Sequence, residues 1–298
     1  MHTDPDTTDC IFHICPRADA EAALAAGSYQ AASLATEGFI HLSQAHQVRP
    51  VLQAFYPDPR GLVLLVVDRS LLQAPLRFEA PASLPVVGSA PAPDASQSFP
   101  HLYGPLNTDA VLDVLPVEQF DGTPVHPSTA ALLRHYRFAR LPVEGTLYRS
   151  TWRSGAPGDG LAVAGTAMLG LYAGSPRSVS CFHRLRHDEV WHAYDGDPFA
   201  LWLLHPGGRA EKVLMGSNPQ AGQRVQHVVP AGVWQAGCLE PGGRHALFGC
   251  TMAPGFTGDC FEAADPAQLA RDYPDQADLI RRLAPPDGTR AMPQGFAA

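Results

Sequence analysis

A series of short apolar stretches, separated by turns rich in Gly and Pro, fills the second half of the chain and restricts its fold most strongly. With 29 Pro and 27 Gly, the composition supplies many turns. Short, closely spaced strands of this kind predict an all-β jelly roll. Strands are predicted at Thr166–Leu171, Val179–His183, Glu189–Tyr194, Phe199–Leu204, Ala210–Met215, Arg224–Val229, Trp234–Leu239 and His245–Met252.

The stretch Val179–Gly196, VSCFHRLRHDEVWHAYDG, carries the most chemistry. A tight turn at residues 186–188 would join a strand holding His183 to a strand holding Glu189 and Trp191. Because side chains alternate along a strand, these three should face one cavity. A His, a carboxylate and a Trp in a cavity suit a small-molecule site. The alternative is a charge-rich hairpin on the surface.

The same stretch resembles the first motif of the cupin proteins. His183, Glu189 and Gly196 fall at its spacing, and Leu185 stands where the motif has a second His. The run PAGVWQ resembles the second motif, with Gln235 in place of its His. A transition metal normally needs at least three protein ligands, so we predict no metal site.

A wider resemblance covers about residues 128–283 and points to the cupin family often called the "cupin five" group. It implies a double-stranded β-helix similar in fold to RmlC-like sugar-nucleotide epimerases, which are metal-free and use a His as base. His183 corresponds to that base, and the family implies a homodimer through an edge of the barrel. Four segments carry the resemblance: LPVEGTLYRSTWRS, VSCFHRLRHDEVWHAYDGDP, VVPAGVWQAG and GCTMAPGFTGDCFE.

The site expected in this half has two catalytic and two binding side chains. His183 and Glu189 would move protons, and Trp191 and Gln235 would contact the ligand.

The first half mixes helices and strands and predicts an α+β domain. Gly27 is a plausible C-cap for the first helix, and the apolar run Gly61–Asp68 predicts a strand buried on both faces. Further elements are predicted at Ile11–Ile14, Arg17–Ala26, Gln44–Tyr56, Leu76–Glu79 and Ala110–Val117, the last as a strand or short helix.

Five polar side chains stand out in this otherwise apolar half: His13, His41, Ser43, His101 and Tyr103. Such groups bind a phosphate or ribose, or move a proton near neutral pH. For any single His, a hydrogen bond to a loop is the alternative. We expect His13, His41 and Ser43 to line one cleft, with His101 or Tyr103 at its rim.

The segments IFHI, EGFIHLS, LLVVD and FPHLYGPL, over about residues 10–118, resemble a small bacterial domain family of unknown function. That family is similar in fold to the ADP-ribosyltransferases, most closely the RNA 2'-phosphotransferases. The resemblance implies a cleft between two small sheets with NAD or ADP-ribose as ligand, although no cofactor is certain. It assigns catalytic positions to His13 and His41, a binding position to Ser43, and suggests Glu79 for an acidic residue.

The turn-forming run QFDGTPVHP predicts a domain boundary. We therefore expect domains at residues 1–122 and 123–284, followed by a flexible tail at 285–298. Within the second domain, Ser128 should cap a helix over Thr129–Phe138, and one amphipathic helix should cover Pro266–Leu283.

Charge and hydropathy restrict the partners. A net charge of −8 without a basic run argues against binding duplex nucleic acid. No apolar run reaches the length of a membrane span, and the polar, acidic start MHTDPDTTDC is unlike a signal peptide, so we expect a cytoplasmic protein. The six cysteines contain no CxxC pair and should be reduced.

Together these features predict a two-domain metabolic enzyme acting on a nucleotide- or sugar-linked small molecule. The cupin half would perform epimerase- or isomerase-like acid–base chemistry, and the first half would bind an NAD-like group. The alternative is a non-catalytic sensor in which both domains bind a small-molecule ligand and report it.

Overall fold

The computed structural model describes residues 10–81, 97–155, 163–285 and 288–297. The chain divides into two compact units, residues 1–137 and 138–298. The division falls after Arg137 rather than at residue 122, because the helix between these positions belongs to the first unit. Most of the Pro-rich stretch at 81–98 lies outside the described residues.

The first unit combines helices with antiparallel strands, as in an α+β domain. Its strands are β1 (Cys10–Pro16), β2 (Ser28–Tyr29), β3 (Ile40–His41), β4 (Leu62–Asp68), β5 (Leu76–Glu79), β6 (Phe99–Leu102), β7 (Leu106–Asn107) and β8 (Val111–Pro116). Its helices are α1 (Arg17–Ala26), α2 (Ala32–Thr36), α3 (Ala45–Phe55) and α4 (Pro127–Tyr136).

Two antiparallel three-stranded sheets, in the orders β1-β4-β8 and β3-β6-β5, form the body of this unit. The central strand β4 is buried over residues 63–67, as its continuous apolar run predicts. Gly27 ends α1 in the left-handed conformation, with φ 79°. Strand β3 ends at His41, and Ser43 exchanges two backbone hydrogen bonds with Phe12 of β1.

Helix α4 is held to the first unit by a buried carboxylate. Arg134 Nε donates to Asp68 Oδ2 at 2.5 Å, and the Asp68 side chain is fully buried at the end of β4. Leu133 also packs inward without exposure. The predicted cap is corrected: α4 begins at Pro127, and the His126 ring rather than Ser128 accepts the capping hydrogen bond.

The second unit is sheet-rich, with two short helices near its end. Its strands are β9 (Ala139–Arg140), β10 (Leu147–Arg153), β11 (Thr166–Ala173), β12 (Ser180–Leu185), β13 (Glu189–Gly196), β14 (Phe199–Leu204), β15 (Ala210–Met215), β16 (Gln226–Val229), β17 (Trp234–Leu239), β18 (His245–Met252) and β19 (Phe261–Ala263). Its helices are α5 (Pro266–Asp272) and α6 (Ala277–Arg282).

These strands form two antiparallel sheets, ordered β16-β13-β18-β11-β10-β9 and β15-β14-β17-β12-β19. Non-consecutive neighbours of this kind are the crossovers of a jelly roll. Aromatic side chains fill the core between the sheets; Phe248 lies 4.4 Å from Tyr172 and 5.0 Å from Trp191, measured between ring centroids. The predicted sheet-rich cupin fold of this half is confirmed.

Pro274 divides the last predicted helix in two. Its ring cannot continue an α-helix, and it disfavours helical geometry at the residue before it. Tyr273 accordingly adopts φ −133° and ψ 68°, between α5 and α6. Among the residues with described placement, no helix is both long and apolar enough to span a bilayer.

The expectation of a flexible tail from residue 285 is corrected for residues 288–297, which pack against the barrel. Ala263 N donates to Arg290 O at 2.8 Å, and Gly258 N donates to Phe296 O at 3.1 Å. Met292 is buried in a cluster with Phe261. Satisfied backbone groups and a buried Met explain why this Pro- and Gly-containing segment is ordered.

Separate fragments test the division of the chain. Fragments 1–137 and 138–298 should each fold, because each holds its own core. Fragment 1–122 should be less stable than 1–137 by about 3 kcal/mol, since it loses the burial of Leu133 and leaves Asp68 without Arg134. Circular dichroism during urea unfolding measures both expectations. If fragments 1–137 and 138–298 were both unfolded, the division of the chain into two units would be contradicted.

Candidate functional site

A cavity of about 290 Å³ lies between the two sheets of the second unit. Three of the predicted side chains line it: His183 from β12, and Glu189 and Trp191 from β13. All three are buried. The alternation of side chains along strands β12 and β13 therefore brings the three predicted residues together. They lie inside the barrel rather than on the surface.

His183 is held in one tautomer when neutral. Its Nδ1 lies 2.8 Å from the Cys181 carbonyl oxygen, which only accepts, so Nδ1 carries the proton. Nε2 has no hydrogen-bond partner among the residues the structure describes. The ring stacks on Phe261, with 5.2 Å between centroids. A fixed imidazole with a free basic nitrogen suits a general base.

The Glu189 carboxyl accepts a hydrogen bond from the amide of Gln235, and that amide accepts one from the indole of Trp191. Trp191 Nε1 donates to Gln235 Oε1 at 3.0 Å, and Gln235 Nε2 donates to Glu189 Oε2 at 2.8 Å. Gly232, with φ 79°, makes the turn that leads into β17, and its N–H donates to Leu185 O. Gln235 was predicted to line the cavity; instead it lies behind Glu189 and orients it.

Burial raises the pKa of the Glu189 carboxyl. The nearby His183 acts in the opposite direction, and the carboxylate of Glu144 adds to the upward shift. Hydrogen bonds from Gln235 and the Cys250 thiol favour the ionised form but do not outweigh burial. The cavity therefore contains a basic nitrogen and a carboxyl that tends to keep its proton.

A second carboxylate, Glu144, lines the same cavity and was not predicted. Thr146 Oγ1 donates to Glu144 Oε1 at 2.6 Å and lies 2.8 Å from Ser180 Oγ. Ser180 in turn lies 2.6 Å from the Tyr172 hydroxyl, between the sheets. This buried chain of hydroxyls fixes Glu144 from behind.

Strand β10 supplies a third group of side chains that was not predicted: Tyr148, Ser150 and Arg153. Tyr148 and Ser150 share a face by ordinary alternation. A β-bulge between Ser150 and Trp152 then shifts the register, so that Arg153 joins that face and Trp152 points outward, 54% exposed. The segment LYRSTWR contains these residues, but simple alternation places Arg153 on the opposite face.

The ligand set does not fit a transition metal. Leu185 has no atom that could bind a metal, and both amide atoms of Gln235 are hydrogen-bonded, one to Trp191 and one to Glu189. Throughout the described ranges, no group of three or more His, Cys, Asp or Glu is arranged to hold a metal ion. We therefore derive no step through a metal.

The first unit has a cavity of about 310 Å³, lined by the three side chains expected to share a cleft: His13, His41 and Ser43. Tyr29, Tyr56 and Asp19 also line it. The lining contains no Lys or Arg among the described residues.

His13 is corrected from a catalytic to a structural residue. Its Nδ1 lies 2.7 Å from His41 O and its Nε2 lies 2.9 Å from the Tyr29 hydroxyl, so both ring nitrogens are used. Burial lowers the pKa of His13 to about 4. The ring is therefore neutral at physiological pH and positions the backbone of β3. This agrees with the alternative stated for a single His, in which the ring makes a structural hydrogen bond.

His101 and Tyr103 do not line this cavity but belong to a neighbouring aromatic cluster. Phe39 stacks on His101 with 4.2 Å between centroids, and the His41 ring meets His101 edge-on at 5.4 Å. Glu79, suggested for an acidic role, accepts from the Tyr103 hydroxyl at 2.6 Å and lies 3.3 Å from His101 Nδ1. Only His41 touches both the cavity and the cluster.

Comparison with known families is consistent with this division. Residues 130–264 match the family described as cupin superfamily (DUF985), and residues 14–114 match a family described as protein of unknown function (DUF952). The chain is a DUF952–cupin fusion. A search of curated proteins found no match to this fusion.

Solved structures similar to the fusion include protein SO0799 from Shewanella oneidensis, with 30% identity over 53% of this chain and 97% of that one, at a TM-score of 0.47. A hypothetical protein from Leishmania major shares 26% identity over 52% and 97%, also at 0.47. Protein CC0527 from Caulobacter crescentus shares 31% identity over 35% and 82%, at 0.30.

The raised pKa of Glu189 predicts a pH-dependent stability. The folded state holds the Glu189 proton more tightly than the unfolded state. The contribution of Glu189 to the free energy of unfolding therefore declines as pH rises from the pKa in the unfolded state, about 4.3, through the pKa in the folded state. Glu189→Gln should remove this decline. Urea unfolding followed by tryptophan fluorescence measures it, because Trp152, Trp191, Trp202 and Trp234 all lie in the cupin unit.

Glu262→Gln is the matched control, since it changes a half-exposed carboxylate of the same unit that pairs with Arg184 and Arg290. The decline should persist in this variant. Equal pH profiles for wild type and Glu189→Gln would contradict the assignment of a raised pKa to Glu189.

Proposed function

We propose that the cupin unit is an acid–base enzyme that moves a proton next to a carbonyl group, in the manner of an epimerase or isomerase. The observation that carries this proposal is the pairing of His183 and Glu189 in one cavity. His183 offers a free Nε2 in a fixed tautomer, and Glu189 offers a carboxyl whose pKa is raised by burial. A base and an acid held in one cavity are what such chemistry requires.

In the proposed reaction, His183 Nε2 removes a proton from the carbon beside the carbonyl. The Glu189 carboxyl donates its proton to the carbonyl oxygen, which gives a neutral enol. The protons then return in the reverse sense, to the other face or to the neighbouring carbon. No oxidant or reductant is consumed, and both side chains recover their starting states.

The size of the cavity limits the substrate. About 290 Å³ lies at the lower end for small-molecule sites, so a sugar or a short keto acid fits, whereas a complete sugar-nucleotide would extend beyond it. Trp191, Met168 and Phe256 provide apolar walls. We therefore propose a keto sugar or keto acid as the substrate class.

For the DUF952 unit, NAD or ADP-ribose is the proposed ligand. Ser43 and His41 line the cavity beside Tyr56, and their hydroxyl and imidazole groups suit ribose hydroxyls. Without a Lys or Arg in the described lining, a ribose rather than a pyrophosphate would form the main contacts. Asp19 in the lining acts in the same direction, because it would repel a phosphate.

Proton exchange tests the cupin proposal. The full chain in D₂O should exchange a carbon-bound proton of pyruvate, α-ketoglutarate or dihydroxyacetone, observed by NMR. His183→Gln should slow the exchange by about 10²- to 10⁴-fold, the usual contribution of a general base. His192→Gln is the control, because His192 contacts Thr251 and Gln226 outside the cavity.

A chelator should leave the exchange unchanged, since no step uses a metal. Stabilisation by one of these compounds without exchange would favour the sensor function over the enzyme. Exchange that survives both His183→Gln and Glu189→Gln would contradict the assigned roles.

Calorimetric titration tests the DUF952 proposal with NAD, ADP-ribose and nicotinamide riboside. His41→Ala should weaken binding about tenfold, as loss of a hydrogen bond to the ligand predicts. His46→Ala, an exposed His on α3, should bind like wild type. Nicotinamide riboside, which lacks a pyrophosphate, should bind as well as NAD. No binding of any of the three would overturn the proposal.

A further inference from the structure

The guanidinium of Arg153, in the cupin cavity, has one N–H group without an acceptor. Arg153 Nε is fully buried and has no hydrogen-bond partner in the described part of the chain. Arg153 Nη1 donates to the backbone oxygen of Ala297 at 3.0 Å, which occupies the other end of the guanidinium. A buried unpaired donor is costly, so it needs an explanation in the use of the site.

The fold delivers this arginine to the cavity by a specific irregularity. The β-bulge in β10 reverses the alternation after Ser150, and without it Arg153 would face solvent, as Trp152 now does. Bulges that redirect a side chain are concentrated beside functional sites. The placement of Arg153 is therefore a feature of the site rather than a consequence of packing.

We propose that Arg153 binds a carboxylate group of the substrate, and this inference rests on the acid–base function proposed for His183 and Glu189. Arg binds a carboxylate through two parallel N–H donors, and its Nε with the adjacent Nη2 forms one such edge. The hydroxyls of Tyr148 and Ser150 line the cavity from the same strand. A carboxylate at this wall supplies the acceptor that Nε lacks.

The sheet register sets how far that carboxylate lies from the reacting carbon. Arg153 pairs with Thr166, Thr166 with Met252, and Met252 with Glu189, so Arg153 and Glu189 stand three strands apart in one row. Three interstrand spacings of about 4.8 Å give roughly 14 Å between their backbones. Both side chains reach inward, which leaves room for a chain of several carbons.

The substrate class is therefore a keto or hydroxy acid whose carboxylate is several bonds from the carbon that exchanges its proton. A keto sugar without an anionic group would leave Arg153 Nε unpaired. The carboxylate of Glu144, in the same cavity, disfavours a doubly charged phosphate more than a singly charged carboxylate.

Pentanoate is a suitable probe, because it carries a single carboxylate on a chain of the required length and has no keto group to react. Tryptophan fluorescence or calorimetry on the full chain should show that pentanoate binds at least about tenfold more tightly than pentanamide, its uncharged counterpart. Arg153→Met should weaken pentanoate binding about 10- to 100-fold and abolish the preference over pentanamide. Arg149→Met, the same change on the outward face of β10, should keep both.

The control variants separate this inference from the proposed function. His183→Gln should bind pentanoate like wild type while losing proton exchange, so failure of the chemistry and failure of the anion site give different results. If Arg153→Met does not fold, Arg153→Lys keeps the positive charge without the two parallel N–H donors, and it should bind pentanoate more weakly while still preferring it to pentanamide.

Four results would overturn the carboxylate site. The first is equal binding of pentanoate and pentanamide by wild type, and the second is unchanged pentanoate binding by Arg153→Met. The third is displacement of pentanoate by an equal concentration of inorganic phosphate, which would assign a different anion. The fourth is absence of pentanoate binding at about 10 mM, the range of a very weak complex.

Discussion

The second unit depends on one buried carboxylate. Glu189 lies between two sheets in an apolar interior, where a carboxyl is tolerated only if its hydrogen bonds are satisfied. The amide of Gln235 and the thiol of Cys250 satisfy it, and the indole of Trp191 fixes the amide. Each of these partners comes from a different strand, so the position of Glu189 requires the barrel to close correctly.

This constraint explains why an amide can replace a metal ligand. A metal would neutralise the carboxylate directly, whereas Gln235 leaves the charge uncompensated and supplies only N–H donors. Burial then raises the pKa of Glu189, as its proposed role as a proton donor requires. Replacement of a ligand His by Gln235 thus changes the chemistry available to the cavity and keeps its geometry.

The sequence predicted most of the architecture, because local pattern determines it. Strands β14, β15, β17 and β18 have the predicted bounds, since alternation and turn residues specify them. Arg153 and Glu144 were missed because their orientation depends on a register shift and on the turn at Gly145, with φ 86°. His13 was misassigned because burial, which suppresses its charge, is not visible in a short motif.

The two cavities differ in the polar groups that they offer. In the DUF952 unit, Asp19 and neutral His13 line a cavity whose described wall has no Lys or Arg, so contacts to the proposed ligand would fall on a ribose rather than on a pyrophosphate. In the cupin unit, Arg153 has a buried Nε–H without a partner, and burial raises the pKa of Glu189, so the proposed carboxylate group is better accommodated there. The difference follows from one irregularity of strand β10, because the bulge turns Arg153 inward.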